Sequence, residues 1–191
     1  MGTSPVSADG ADAGPEEAYS GLLAYAELLT NPELARLYAE ILQRGPVTVE
    51  TLKEELDVPH STAYKYVGRL EEMGVLDRDD DTTPATVTVE PVRLVLETGE
   101  GEIAATPVFI IAIGEQTDND DIAVFVDRHG VAKLGAALHY TFRVRAGELT
   151  QRTAASRLDV HPVEAMTVFD ALLEVIESAV EYDPYLSETV E

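Results

Sequence analysis

Between Val58 and Leu70 the chain carries two cations, Lys65 and Arg69, and no carboxylate, although the whole sequence holds 36 acidic residues against 13 basic ones. The same stretch supplies His60, Ser61, Thr62 and Tyr64. An ammonium or guanidinium can neutralise a phosphate, arginine can pair with the edge of a guanine, and hydroxyls can bond to bases or phosphates. At about 100° per residue, a helix that turns Ala63, Val67 and Leu70 inward turns Ser61, Lys65, Gly68 and Glu72 outward, with Tyr64 and Arg69 on the flanks. Gly68 is the odd member, because an interior helix glycine costs about 1 kcal/mol relative to alanine; close approach of a partner backbone would account for it. These residues suit nucleic-acid contact. The alternative is a surface helix whose Lys65 and Arg69 are solvated and whose Tyr64 or Tyr66 belongs to the core.

Other chemistries find little support. Without cysteine there is no disulfide, thiol nucleophile or cysteine zinc site, and His60, His129, His139 and His161 lack metal-ligand spacing. No nucleophile stands beside a base, and no glycine-rich phosphate loop or motif-borne carboxylate pair occurs, so neither enzymatic activity nor a cofactor is expected. No apolar run approaches the ~18 residues of a membrane span. The opening MGTSPVSADGADAGPEE has neither the basic start nor the apolar core of a signal peptide, which points to the cytoplasm.

Around this stretch lie the elements that must position it. Tyr19, Leu22, Leu23, Ala26 and Leu29 recur at helical steps, and a second stripe of Leu34, Leu37, Tyr38, Ile41 and Leu42 runs from Pro32 to Gly45-Pro46. Thr48 can cap a short helix over Val49 to Leu56. Asp57 and Val58 then turn the chain into a longer helix, Pro59 to about Met73, closed by Gly74. Val75 and Leu76 lead into the polar stretch 77–84, and Thr86 to Val89 reads as a returning strand. The run Leu56-Asp57-Val58-Pro59-His60-Ser61-Thr62 through Gly74-Val75-Leu76 resembles the winged helix-turn-helix of TrmB-, ArsR- and MarR-type transcription regulators, over about Leu34 to Val89. The resemblance implies double-stranded DNA as partner, a homodimer that reads two half-sites, and contacts from His60, Ser61, Thr62, Tyr64, Lys65 and Arg69. The wing departs from the pattern: Asp77, Asp79, Asp80 and Asp81 surround Arg78, leaving that arginine as the one plausible wing contact. These aspartates lack the glycine and terminal glutamate of a calcium-binding EF-hand loop.

A shift of 102 residues aligns 35–72 with 137–174 without gaps and with 11 identities in 38 positions. They include Gly45 with Gly147, Thr48 with Thr150, Leu56-Asp57-Val58 with Leu158-Asp159-Val160, and Leu70 with Leu172. The C-terminal half is therefore expected to hold a second helix-turn-helix-like unit without a wing. Its last helix would present Val163, Thr167, Asp170 and Glu174 outward, a poor set for reading DNA. Met166, Phe169, Leu173, Ile176 and Val180 form a seam for core packing or for a second copy, the helix from Tyr19 to Leu29 being the other candidate for pairing two copies. Residues 92–105 read as a hairpin connector. Val108 to Ile113 fits helix or buried strand equally, and Asp118 to Arg128 favours helix through its acid-rich start.

Charge is uneven along the chain. The net −23 divides into −6 over 1–33, −2 over 34–78, −11 over 79–127, +5 over 128–157 and −9 over 158–191. The single basic region holds Arg143, Arg145, Arg152 and Arg157, which could meet phosphates or dock on the acidic 79–127 segment. Acid excess with only three lysines (Lys53, Lys65, Lys133) resembles proteins of salt-loving archaea. The expected organisation is mainly α: an acidic tail (1–17), a winged helix-turn-helix with a small β-hairpin wing (18–91), a hairpin (92–105), a C-terminal helical domain with a second helix-turn-helix-like unit (106–182) and a tail (183–191). The expected function is a sequence-specific DNA-binding transcription regulator; the alternative is a tandem winged-helix module that binds protein.

Overall fold

Proline and asparagine spacing divides the first helices. In the computed structural model, which describes residues 14–99 and 101–186, α1 (Pro15–Thr30) ends at Asn31, whose Oδ1 accepts from the Leu34 amide and caps α2 (Pro32–Arg44). Gly45, at φ +70°, stops α2 and admits the short strand β1 (Val47–Thr48). Thr48 then caps α3 (Val49–Leu56), and Asp57 takes the left-handed turn (φ 49°) into α4 (His60–Glu72). Strands β2 (Leu76–Asp79) and β3 (Thr86–Val89) form the wing, pairing Leu76 with Val89 and Asp79 with Thr86; β1 adds to the other edge of β3. Leu34, Leu37, Tyr38, Ile41, Leu52, Ala63, Val67, Leu70 and Val87 are buried together, so α4 is held by the face that its periodicity defines.

The run that could have been strand is helical: α5 (Pro107–Gly114) is buried on all sides, with Val108, Ile110, Ile111 and Ile113 enclosed and its flank laid on α2. Its first turn is capped from far away. Asp183 Oδ2 accepts from the Val108 amide (2.9 Å) and the Thr106 hydroxyl (2.5 Å), and Oδ1 accepts from the Tyr185 amide (3.0 Å). Asp183 and Leu186 are both buried, so the expected C-terminal tail does not begin at 183; the helix start needs that carboxylate. At the other end α1 already starts at Pro15, inside the expected N-terminal tail, while residues 1–13 of that tail and 187–191 of the other lie outside the described residues. Gly114 lies so close to α2 that a Cβ there would meet the Arg36 Cα and N at 2.8 Å.

After a 3-10 turn (Glu115–Thr117) come α6 (Asp120–His129), α7 (Val131–Arg145), α8 (Gln151–Leu158) and α9 (Pro162–Ala179). Asn119 caps α6 at two amides, and the acidic start favours helix there as expected. The connector ribbon of β4 (Leu94–Thr98) and β5 (Gly101–Ala105) sets Glu97 opposite Glu102. Of the α9 seam, Phe169 and Ile176 are buried and Leu173 is half-buried, so it serves mainly the core of its own chain; Met166 and Val180 remain exposed at its ends.

Candidate nucleic-acid interface

The outward face of α4 is free of acid up to Glu71. His60, Ser61, Tyr64, Lys65 and Arg69 are exposed, and Thr62 and Gly68 half-exposed. The His60 and Tyr64 rings lie 4.3 Å apart, forming one small aromatic surface at the start of the helix. Lys65 makes no ion pair among the described residues; its Nζ stands 6.0 Å from the Tyr66 ring. A Cβ placed at Gly68 would meet nothing within 4 Å, so no contact inside the chain calls for a glycine there.

Arg69 is not a free cation. Its Nε and Nη2 donate to the two carboxylate oxygens of Glu27 on α1, each at 2.6 Å, and Nη1 donates to Glu72 at 3.0 Å. The two carboxylates raise the Arg69 pKa, and the guanidinium holds Glu27 below the usual carboxylate range. Bidentate geometry fixes the guanidinium plane. Glu27 lies 42 positions away, and its one sequence signal was being the only charge between Ala18 and Thr30.

On the wing, Arg78 is half-buried and turned back towards α4, with Nη2 3.4 Å from Glu71. Asp79, Asp80 and Asp81 occupy the exposed tip. In the basic stretch Arg143 pairs with Glu148 at 2.9 Å, whereas Arg145, Arg152 and Arg157 are exposed and make no ion pair among the described residues. Helix α7 of this stretch packs on α5 and α6 of the 79–127 segment, with Gly135 against the Phe109 ring, but the ion pairs found among the described residues, Arg143 with Glu148 and Arg128 with Glu164, do not join the stretch to the acids of 79–127.

Helices α7 to α9 repeat the first unit down to its hydrogen bonds. Thr48 and Thr150 each accept from an amide three residues on at 3.2 Å, and each hydroxyl meets that residue's hydroxyl, Thr51 or Thr153, at 2.9 Å. Asp57 and Asp159 take the same left-handed turn (φ 49° and 56°), and Gly45 matches Gly147 (φ 70° and 74°). The first unit continues into α4, without acid before Glu71, and a wing; the second continues into α9, whose outer face bears Val163, Met166, Asp170 and Glu174. Two clefts, of about 140 Å³ beside Arg36 and Asp118 and about 190 Å³ between α6 and α9, fall below the ~300 Å³ of ordinary small-molecule sites. Among the described residues no helix is long and apolar enough to cross a membrane, and no cluster could hold a metal ion.

Residues 29–93 match the model of the sugar-specific transcriptional regulator TrmB family. The TrmB match runs from the end of α1 past β3, about a third of the chain, and covers α4 and the wing. The matched family is one of transcriptional regulators, which supports a DNA-binding winged helix over these residues. Residues 116–181, which contain the wingless unit, match a family of unknown function, DUF7437. No curated protein and no solved structure matches the chain significantly.

Proposed function

We propose that the protein is a cytoplasmic, sequence-specific transcription regulator that binds double-stranded DNA as a homodimer at high salt. What carries the reading is the exposed face of α4 from His60 to Arg69, free of acid in a chain of net charge −23. Ser61, Thr62, Tyr64 and Lys65 meet bases and phosphates in the major groove, with His60 at the helix start. Arg69, fixed by Glu27, reaches the groove from the flank. Arg78, turned towards Glu71, makes at most a peripheral wing contact. Arg143, Arg145, Arg152 and Arg157 are the alternative set of phosphate contacts, which the salt dependence of binding tests.

Salt reconciles the charge with the function. At ~1 M the Debye length is ~3 Å, so distant carboxylates scarcely repel DNA and only cations touching phosphate count. Few cations on α4 release few DNA counterions, so affinity should be flat or rise with KCl into the molar range. Selection of bound sequences from random DNA in molar KCl, followed by fluorescence anisotropy, tests the reading. Lys65→Ala should weaken binding by ~1 to 3 kcal/mol without altering the melting curve. Unchanged affinity would reject the recognition-helix assignment. A steep fall of log affinity with log salt would instead place the main contact on the arginines from 143 to 157.

A further inference from the structure

We infer that the outer face of α1 is the surface through which two copies of this chain pair, as an antiparallel helix pair centred between Leu22 and Leu23. The inference deepens the dimeric reading above and rests on it. The helix is apolar on two opposite faces: Ala24, Tyr25 and Leu28 point into the core, while Tyr19 (69% exposed), Leu23 (70%), Leu22 (46%) and Ala26 point to solvent. A helix that is hydrophobic all round belongs in an interior, and within one copy nothing among the described residues covers the second face of α1.

Charge identifies the occupant as a second copy. Two molecules of net charge −23 can approach only where carboxylates are absent, and from Ala18 to Thr30 the sole charge is Glu27, which sits on the flank and is neutralised by Arg69. The rival surface, along α9, continues from Val163 and Met166 into Asp170, Glu174 and Glu177, which would repel their own copies.

The stripe is also complementary to itself. Leu22 and Leu23 are the middle residues of the 16-residue helix. In an antiparallel pair centred there, Leu22 faces Leu23 of the other copy and the Tyr19 ring falls on the small Ala26, a large residue against a small one on both sides of the two-fold axis. The two Glu16 carboxylates then lie about 20 Å apart along the axis. One helix pair is at the small end of specific interfaces, so the dimer should dissociate measurably on dilution. Because Glu27 leaves α1 to hold Arg69 of α4, the pair would also fix how the two recognition helices face one another.

The absence of cysteine makes the geometry directly testable by sedimentation and disulfide trapping of the full chain in 2 M KCl. Leu23→Glu, at a solvent-facing position, should weaken self-association by roughly tenfold or more and leave the melting temperature unchanged at dilutions where both proteins are monomeric. Tyr19→Cys mixed with Ala26→Cys should give a cross-linked heterodimer under mild oxidation, while each variant alone should not, since like positions would be about 10 Å out of register. A wild-type dimer that Leu23→Glu leaves intact overturns the assignment to α1 and leaves the dimeric reading standing. A monomer at every concentration overturns both. Cross-linking as described in a protein that selects no DNA sequence supports the α1 pair while removing the regulator reading.

Discussion

Gly68 lies in the interior of α4, where glycine costs about 1 kcal/mol relative to alanine through its extra backbone freedom in the unfolded chain. A Cβ built there has no neighbour within 4 Å, so Gly68→Ala should recover that cost with nothing set against it. For a chain of this size, about 1 kcal/mol raises the melting temperature by ~2 to 4 °C. If the glycine is kept because a DNA backbone passes over it, the same methyl group intrudes on the complex. Overpacking of one methyl costs ~1 to 3 kcal/mol, roughly a 5- to 150-fold loss of affinity. The variant should therefore melt higher and bind its selected operator more weakly, by calorimetry and fluorescence anisotropy in the same buffer. A higher melting temperature with unchanged affinity would refute the account of Gly68 as a point of DNA approach. A lower melting temperature would refute the open space above it.

Gly114→Ala should behave oppositely, losing ~1 to 3 kcal/mol in urea unfolding because the new Cβ meets Arg36 backbone at 2.8 Å; a wild-type midpoint would mean that α2 and α5 do not pack this closely. Thr48→Ala and Thr150→Ala should each cost ~1 kcal/mol, and nearly equally, since the two caps share one geometry; losses differing by more than that amount would argue against equivalence of the two units. Burial raises the Asp183 pKa above 3.8, against the lowering effect of its hydrogen bonds from Thr106, Val108 and Tyr185. The folded state therefore holds the Asp183 proton more tightly, and this contribution to stability is full below pH 3.8 and lost as pH rises through the raised value. Urea titrations across that window should show the wild type losing stability relative to Asp183→Asn as pH rises; parallel curves would exclude ionisation of Asp183 as the cause.

What could be read from the sequence was local. Caps and turns are decided within four or five residues, so Thr48, Thr150, Asp57 and Gly45 announce their roles, and the offset of 102 residues carried them into the second unit. The inward face of α4 was equally legible, since Ala63, Val67 and Leu70 leave one solution at helical period. The apolar stripe read on α1 faces solvent at Tyr19, Leu22, Leu23 and Ala26, whereas the core takes Ala24, Tyr25 and Leu28 from the opposite side, a face the stripe's spacing did not point to. Long-range partners left no trace of that kind. Glu27 reaches Arg69 across 42 positions and Asp183 caps a helix 75 positions earlier, and neither pairing has a period to betray it. The Val108–Ile113 run stayed ambiguous because burial on every side erases the polar face by which helix and strand are told apart.

The closeness of Gly114 to Arg36 has a consequence for how the chain is made. The winged unit is complete as a sequence at Val89, yet the side of α2 around Ala35 and Arg36 is covered by α5, which ends 25 residues later. At synthesis rates of ~5 to 20 residues per second, that interval lasts about 1 to 5 s, during which a nascent regulator carries an apolar seat open to water. The same seat would stay open for good in a fragment cut at the β4–β5 ribbon, so the DNA-binding half is expected to need the first helix of the other half in order to remain dispersed.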